Sequence, residues 1–186
     1  LKYSIIDPWN SELIWGDSSP VNSWWRIQSG VLMKNPTASS VEAAWQWISP
    51  SLRMAELFYS KNGIPIDEDL DFDYDNRYEI VRVERDQEQY AKPYNRTVRL
   101  HLNREPRFYS SLGFDTGQYR AWGELWTLRM RKGQTHGRIA QTSDYLITGY
   151  ALKKLVHPDS EGDTYDKVVR YPWPNSRLAE LYLNYA

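Results

Sequence analysis

The sequence predicts an α+β chain of several short helices, a small antiparallel sheet and much irregular backbone, forming one domain over residues 1–186. Three observations predict it. Apolar residues recur at helical spacing at Val41, Ala44, Trp45 and Ile48, and again at Leu178, Leu181, Tyr182 and Tyr185. Short alternating segments of strand length stand at Ser11–Gly16, Tyr78–Glu84 and Glu124–Met130. Between them lie stretches rich in Ser, Asn, Asp, Gly and Pro, the residues of turns and loops. No internal repeat or low-complexity tract interrupts this pattern.

Taken in order, Ser11–Gly16 puts Leu13 and Trp15 on one face of a strand, and the chain beyond it to Gly30 reads as loop. Thr37–Ile48 reads as a helix, with Ser39 and Glu42 at capping-box spacing. A second helix follows with Ser49 as cap, Pro50 at the first helical position, Met54, Leu57 and Phe58 as its stripe, and Gly63 to end it. Tyr78–Glu84 predicts a strand and Arg85–Asn95 a polar loop. Thr97–Leu102 alternates like a strand. Pro106 confines Glu105 to extended geometry and cannot continue a helix. After it Phe108, Ser110, Leu112 and Phe114 alternate with Arg107, Tyr109, Ser111 and Gly113, which predicts a strand and then a turn at Asp115-Thr116-Gly117. Arg104 and Arg107 bracket Glu105, so an ion pair is expected to fix that corner. Glu124–Met130 and Leu146–Val156 are the next strand candidates. Pro172 and Pro174 keep the chain extended before a last helix capped by Asn175 or Ser176, whose apolar stripe calls for a partner helix.

Composition narrows the function. Lys+Arg 23 against Asp+Glu 24 gives a net charge of -1, which argues against nucleic acid, whose binders need a basic face to displace counterions. Cysteine is absent, so disulfides, thiolate metal sites and thiol nucleophiles are excluded. No apolar run is long enough for a membrane-spanning helix. The unusual feature is an aromatic share of 15%, with 9 Trp and 14 Tyr; burial accounts for part of it, and so many polar-tipped rings also suggest a surface that stacks on ligands.

The sequence shows no catalytic constellation. There is no G-x-S-x-G elbow, and His101, His136 and His157 are far apart with no metal-ligand spacing. His101 reads as a surface histidine. Two carboxylates at glycosidase separation can be neither found nor excluded among 24 acids. In DEDLDFDYD the alternating Asp69, Asp71 and Asp73 can converge on calcium. An EF-hand opening at Asp71 would carry Asn76 where glycine belongs and Arg82 where a bidentate Glu belongs, so a solvated acidic loop is the preferred reading.

Two clusters suit a sugar. Pyranose rings present C–H faces that stack on aromatic rings, and hydroxyl rims that need amide, carboxylate and guanidinium partners. Trp24 and Trp25 stand beside Asn22 and Arg26, and Tyr119 and Trp122 flank Arg120. These are the candidate glycan-binding residues. Core packing is the competing role for each ring, and for Trp45 and Trp126, which sit in helical or strand patterns, it is the favoured one.

The stretch REPRFYSSLGFD resembles the signature R-D/E-P-R-F/L-Y-A-S of the SusD/RagB family of glycan-binding surface lipoproteins. RLAELYLNYA at the C-terminus resembles the family's R-Y-A-E-V-L-L-N-Y-A-E-A helix, and SPSLRMAELFYSKNGIPI and TGYALKKLVHP are similar to two further family stretches, all in family order. The resemblance implies a loop-rich lobe belonging to a larger, tetratricopeptide-like helical fold. It favours a short helix at Thr97–Leu102, and Tyr78–Asn95 departs from the family pattern. It further implies non-catalytic capture of oligosaccharide or polysaccharide at the outer membrane, with no cofactor, and delivery to a TonB-dependent transporter. Since Leu1 is not an initiator Met and Ala186 falls within a helical pattern, the resemblance implies an interior piece of a longer, lipid-anchored protein. The alternatives are a glycoside hydrolase, or an interaction scaffold or peptide-binding relative.

Overall fold

The computed structural model describes residues 6–18, 46, 48–121, 124–138, 145–160 and 167–186, with backbone alone for Arg120, Ala121 and Glu124. Among them the strands pair only in twos. Four antiparallel ribbons replace the single sheet that the alternation suggested: β1 (Leu13–Asp17) with β8 (Trp173–Arg177), β2 (Ile80–Arg82) with β3 (Arg96–Val98), β4 (Leu112–Gly113) with β7 (Ala151–Leu152), and β5 (Gln118–Ala121) with β6 (Glu124–Thr127). Ribbons this short cannot bury a face by themselves, so the core is built between them.

Two apolar clusters result. One gathers Ala55, Phe72, Val83, Leu100, Phe108, Leu112 and Phe114 around two short helices, α1 (Leu52–Leu57) and α2 (Pro106–Ser111). The other gathers Ile6, Tyr119, Leu128, Met130, Val156, Val168 and Tyr171, with Trp173 packed against it. The β4–β7 ribbon joins them, since Leu112 lies in the first cluster and Ala151 in the second.

Several expectations are corrected. Residues 106–111 are helix, not strand: Pro106 occupies the first helical turn, where its fixed φ is pre-organised and its missing N–H costs nothing. A helix stops before proline and also starts on it, and the alternation of Phe108 and Leu112 fits both periods. Helix α1 is capped by Ser51, whose Oγ accepts from Met54 N at 3.1 Å, two residues later than expected, and it ends at Leu57. Thr97–Leu102 divides into strand and a 3-10 turn over Arg99–His101. The strands expected at Tyr78–Glu84, Glu124–Met130 and Leu146–Val156 shrink to Ile80–Arg82, Glu124–Thr127 and Ala151–Leu152. Asn175 and Ser176 belong to β8, and Arg177 starts the last helix, α3 (Leu178–Tyr185). No residue of α3 is buried, and Leu181, Tyr182, Leu183 and Tyr185 are all exposed. The helix expected over Thr37–Ile48 lies outside the described residues, except for Gln46 and Ile48, which are not helical.

Candidate functional site

An open, polar cleft of about 350 Å³ lies where the start of β3, the turn after α2 and the end of β6 meet. Its near wall is the turn Lys92-Pro93-Tyr94-Asn95, closed by Asn95 N–H donating to Lys92 O at 3.4 Å. Two bonds fasten this turn to the end of β2: Tyr94 N to Val83 O at 2.9 Å and Val83 N to Asn95 O at 2.8 Å. The far wall is Thr127–Arg131 with Gln134, and Asp115 and Thr116 form the floor.

Among the described residues Asp115 is the one carboxylate lining the cleft, and it is already engaged. Its Oδ1 accepts from Met130 N at 3.0 Å and its Oδ2 from Arg131 Nε at 2.7 Å. Arg131 in turn donates to Arg96 O at 2.5 Å, and Thr116 Oγ1 donates to the same carbonyl at 3.1 Å. The floor is thereby tied to both walls. The loop behind it leaves no slack: a Cβ on Gly137 would stand 2.0 Å from Arg131 O.

Beneath the floor runs a buried polar chain. Thr97 Oγ1 donates its only proton to Asp115 O at 2.7 Å. It must therefore accept from His101 Nδ1 at 2.8 Å, which leaves His101 Nε2, 2.9 Å from the Tyr150 hydroxyl, to accept from it. This order requires a neutral imidazole. Burial, with Arg104 nearby, holds the His101 pKa down to about 3. His101 is 5% exposed, so its expected place at the surface is corrected. Its role in this chain is to link Thr97 to Tyr150.

The residues 103–115 form the corner that carries this floor. Arg104, 2% exposed, donates to the carbonyls of Leu100, Ala55, Phe58 and Tyr59 over 2.5–3.3 Å, while its own N–H donates to the Tyr109 hydroxyl at 3.1 Å. Burial lowers its pKa to about 10, still charged at neutrality. Glu105 accepts from Tyr59 N at 2.8 Å and from Arg107 Nε at 2.6 Å, the ion pair expected at the corner. Tyr109 stacks on Tyr90 with centroids 3.7 Å apart. These residues are used up in holding three segments together, which is the structural role expected of them.

The acidic run 67–75 buries Phe72 and turns its carboxylates elsewhere. The Asn62 amide donates to Asp69 Oδ2 at 3.1 Å and to Asp71 Oδ2 at 3.3 Å, standing between the two oxygens a cation would have to bridge. Hydrogen bonds from Ser60, the Asp71 N–H and Asn62 hold the Asp69 pKa below the usual carboxylate range. Asp73 instead faces Arg99 and Asn76, at 3.4 and 3.0 Å. Among the described residues no group of acids and histidines gathers to hold a metal.

Of the residues the sequence put forward for sugar, Asn22, Trp24, Trp25, Arg26 and Trp122 lie outside the described residues. Tyr119 is described and is buried, 8% exposed, opposite buried Trp126 in the β5–β6 ribbon. Its pairing register turns it into the core, which corrects the open ring expected of it. The backbone of Arg120 pairs with that of Leu125 in the same ribbon. Sequence reasoning missed Lys92, Tyr94 and Asn95, which it assigned to a polar loop, and with them Arg96, Arg129 and Arg131. The available signal was Pro93-Tyr94-Asn95, turn chemistry with an aromatic where glycine is usual.

The chain belongs to the SusD family: the SusD_RagB family profile matches residues 11–186. Among solved structures it is similar to BT4246 and to the selenomethionine form of BT4246, each 31% identical with a TM-score of 0.70. These matches cover 95% and 94% of this chain, but only 29% and 30% of those chains. A SusD-like protein, BF3747, from Bacteroides fragilis NCTC 9343 shares the fold at 18% identity and a TM-score of 0.63, covering 98% of this chain and 33% of that one. This chain thus spans about a third or less of the length of its solved relatives. No curated protein matches it.

Proposed function

We propose that the protein captures oligosaccharide or polysaccharide at the bacterial outer membrane without altering it. It would pass the ligand to a TonB-dependent transporter, as the lobe of a larger, tetratricopeptide-like, lipid-anchored member of its family. The family match over residues 11–186 supports the class of this reading. The observation that carries it is the chemistry of the cleft. An exposed tyrosine and fixed hydrogen-bonding groups line an open surface, and the one carboxylate among its described residues is bound to Met130 N–H and Arg131. Glycosidases of the two-carboxylate kind need a free acid and a second carboxylate across the scissile bond, so this cleft suits holding sugar rather than cutting it. Asn22, Trp24, Trp25 and Arg26, together with Arg120 and Trp122, are the further candidate glycan-binding residues.

Affinity gel electrophoresis of the full chain against a panel of soluble polysaccharides tests this. Retardation by at least one polysaccharide, with no shortening of it, is expected. Migration unchanged across the panel, or release of reducing ends, overturns the reading.

A further inference from the structure

The turn that walls the cleft pays a conformational cost that core packing does not repay. In Lys92-Pro93-Tyr94-Asn95 proline fills the second position and Tyr94 the third, with φ at +64°. A turn of this kind favours glycine at its third position, because a Cβ is crowded in left-handed backbone. A bulky aromatic there is expected to be compensated by burial, yet Tyr94 is 59% exposed. The Arg82 guanidinium, 4.8 Å from the ring centroid, steadies the ring, and the two bonds to Val83 lock its backbone. An exposed ring held rigid in strained backbone is the pattern of a contact surface prepared before its ligand arrives.

Charge specifies that ligand further. Lys92, Arg96, Arg129 and Arg131 line the cleft against Asp115 alone. Arg131 is spent on Asp115. Among the described residues no carboxylate pairs with Lys92, Arg96 or Arg129, whereas Arg53, Arg77, Arg85, Arg99, Arg107 and Arg177 each have one. The whole chain carries a net charge of -1, so four cations against one carboxylate among the described lining residues make this cleft a locally basic patch on a nearly neutral chain. Gln134 Oε1 accepts from Arg131 N at 3.2 Å, leaving its NH2 to donate outward.

We propose that this cleft takes an anionic sugar, a residue bearing carboxylate or sulfate, stacked on Tyr94 with its charge directed to Arg96, Arg129 and Lys92. This rests on the glycan-capture reading and names the class of glycan. The volume, about 350 Å³, is at the small end of ligand sites, which run from roughly 300 to 1,000 Å³. A short segment of chain would be held there, not a long one.

Isothermal titration of the full chain with three oligosaccharides of one parent sugar tests it: oligogalacturonate, a sulfated galactan oligosaccharide and a neutral galacto-oligosaccharide. One or both charged probes should bind at least about tenfold tighter than the neutral one, as expected of several partly exposed ion pairs acting together, and should weaken with added salt. Which charged probe binds separates carboxylate from sulfate. The double variant R96Q/R129Q should lose the preference, and Tyr94→Gly should lose binding without lowering the denaturation midpoint, since glycine suits that backbone. Equal or better binding of the neutral probe, or wild-type affinity in Tyr94→Gly, overturns the anionic cleft while leaving glycan capture standing. Failure of all three probes, in a protein retarded by other polysaccharides, likewise overturns the cleft alone. Failure of every glycan in both assays overturns both.

Discussion

The buried chain from Tyr150 through His101 and Thr97 to Asp115 makes stability depend on pH from about 6.5 downward, starting above the range where ordinary carboxylates titrate. An imidazole in the unfolded chain titrates near 6.5, whereas burial holds that of folded His101 to about 3. Between these values the unfolded chain binds a proton that the folded chain refuses. The stabilisation is therefore complete above about 6.5 and is lost as pH falls, by up to about 1.4 kcal/mol per unit. From pH 7 to pH 5 the loss is about 2 kcal/mol. Acids held low in the fold, such as Glu56 beside Tyr78 and Arg77, contribute their own loss only at more acid pH. Urea unfolding of the full chain at pH 7, 6 and 5, repeated for His101→Gln, isolates the term. The variant will be less stable throughout, but its midpoint should fall with pH more gently, by about one proton's worth of slope. Parallel curves for parent and variant would refute both the neutral imidazole and the order of the hydrogen bonds.

Three further outcomes are expected, two from the described geometry and one from the sequence. Arg104→Lys replaces a planar fork serving four carbonyls with a single ammonium, and stranding two or more buried acceptors should cost about 3 kcal/mol, read as a large drop in thermal midpoint; an unchanged midpoint would contradict its bracing role. Gly137→Ala drives a methyl into Arg131 O and should destabilise by about 1–3 kcal/mol while weakening whatever the cleft holds, measured by calorimetry and titration together. Replacing Trp24, Trp25 and Trp122 with alanine together should abolish retardation in polysaccharide gels while circular dichroism stays native; retention of binding would remove them from the site.

The class of the fold was legible because helix periods and short alternating runs survive in the sequence even when the elements are brief. What misled was short-range ambiguity. Phe108 and Leu112 fit a strand's alternation and a helix's i, i+4 spacing alike, and only packing against Phe58 and Phe114 decides between them. His101 looked like a surface residue because nothing local in TVRLHL says that Tyr150, far along the chain, will cover it. Tyr119 looked like a platform because its neighbours are polar, yet a pairing register of one residue sends it inward. The cleft itself was nearly invisible. Lys92, Arg96 and Arg129 converge only when β3 and the end of β6 are brought together, and each alone is an ordinary solvated cation. Tyr94 was the exception, since an aromatic two residues after Lys92 and directly after proline breaks the rule for the turn it occupies.

The proposed function requires a surface that retains sugar and returns it unchanged. The most direct measurement is to saturate the full chain with a polysaccharide that retards it, hold the mixture for a day, and analyse the recovered ligand by size and reducing-end content. Recovery at its original length, with stoichiometric binding throughout, is the predicted result; shortened chains that accumulate in proportion to protein would contradict it.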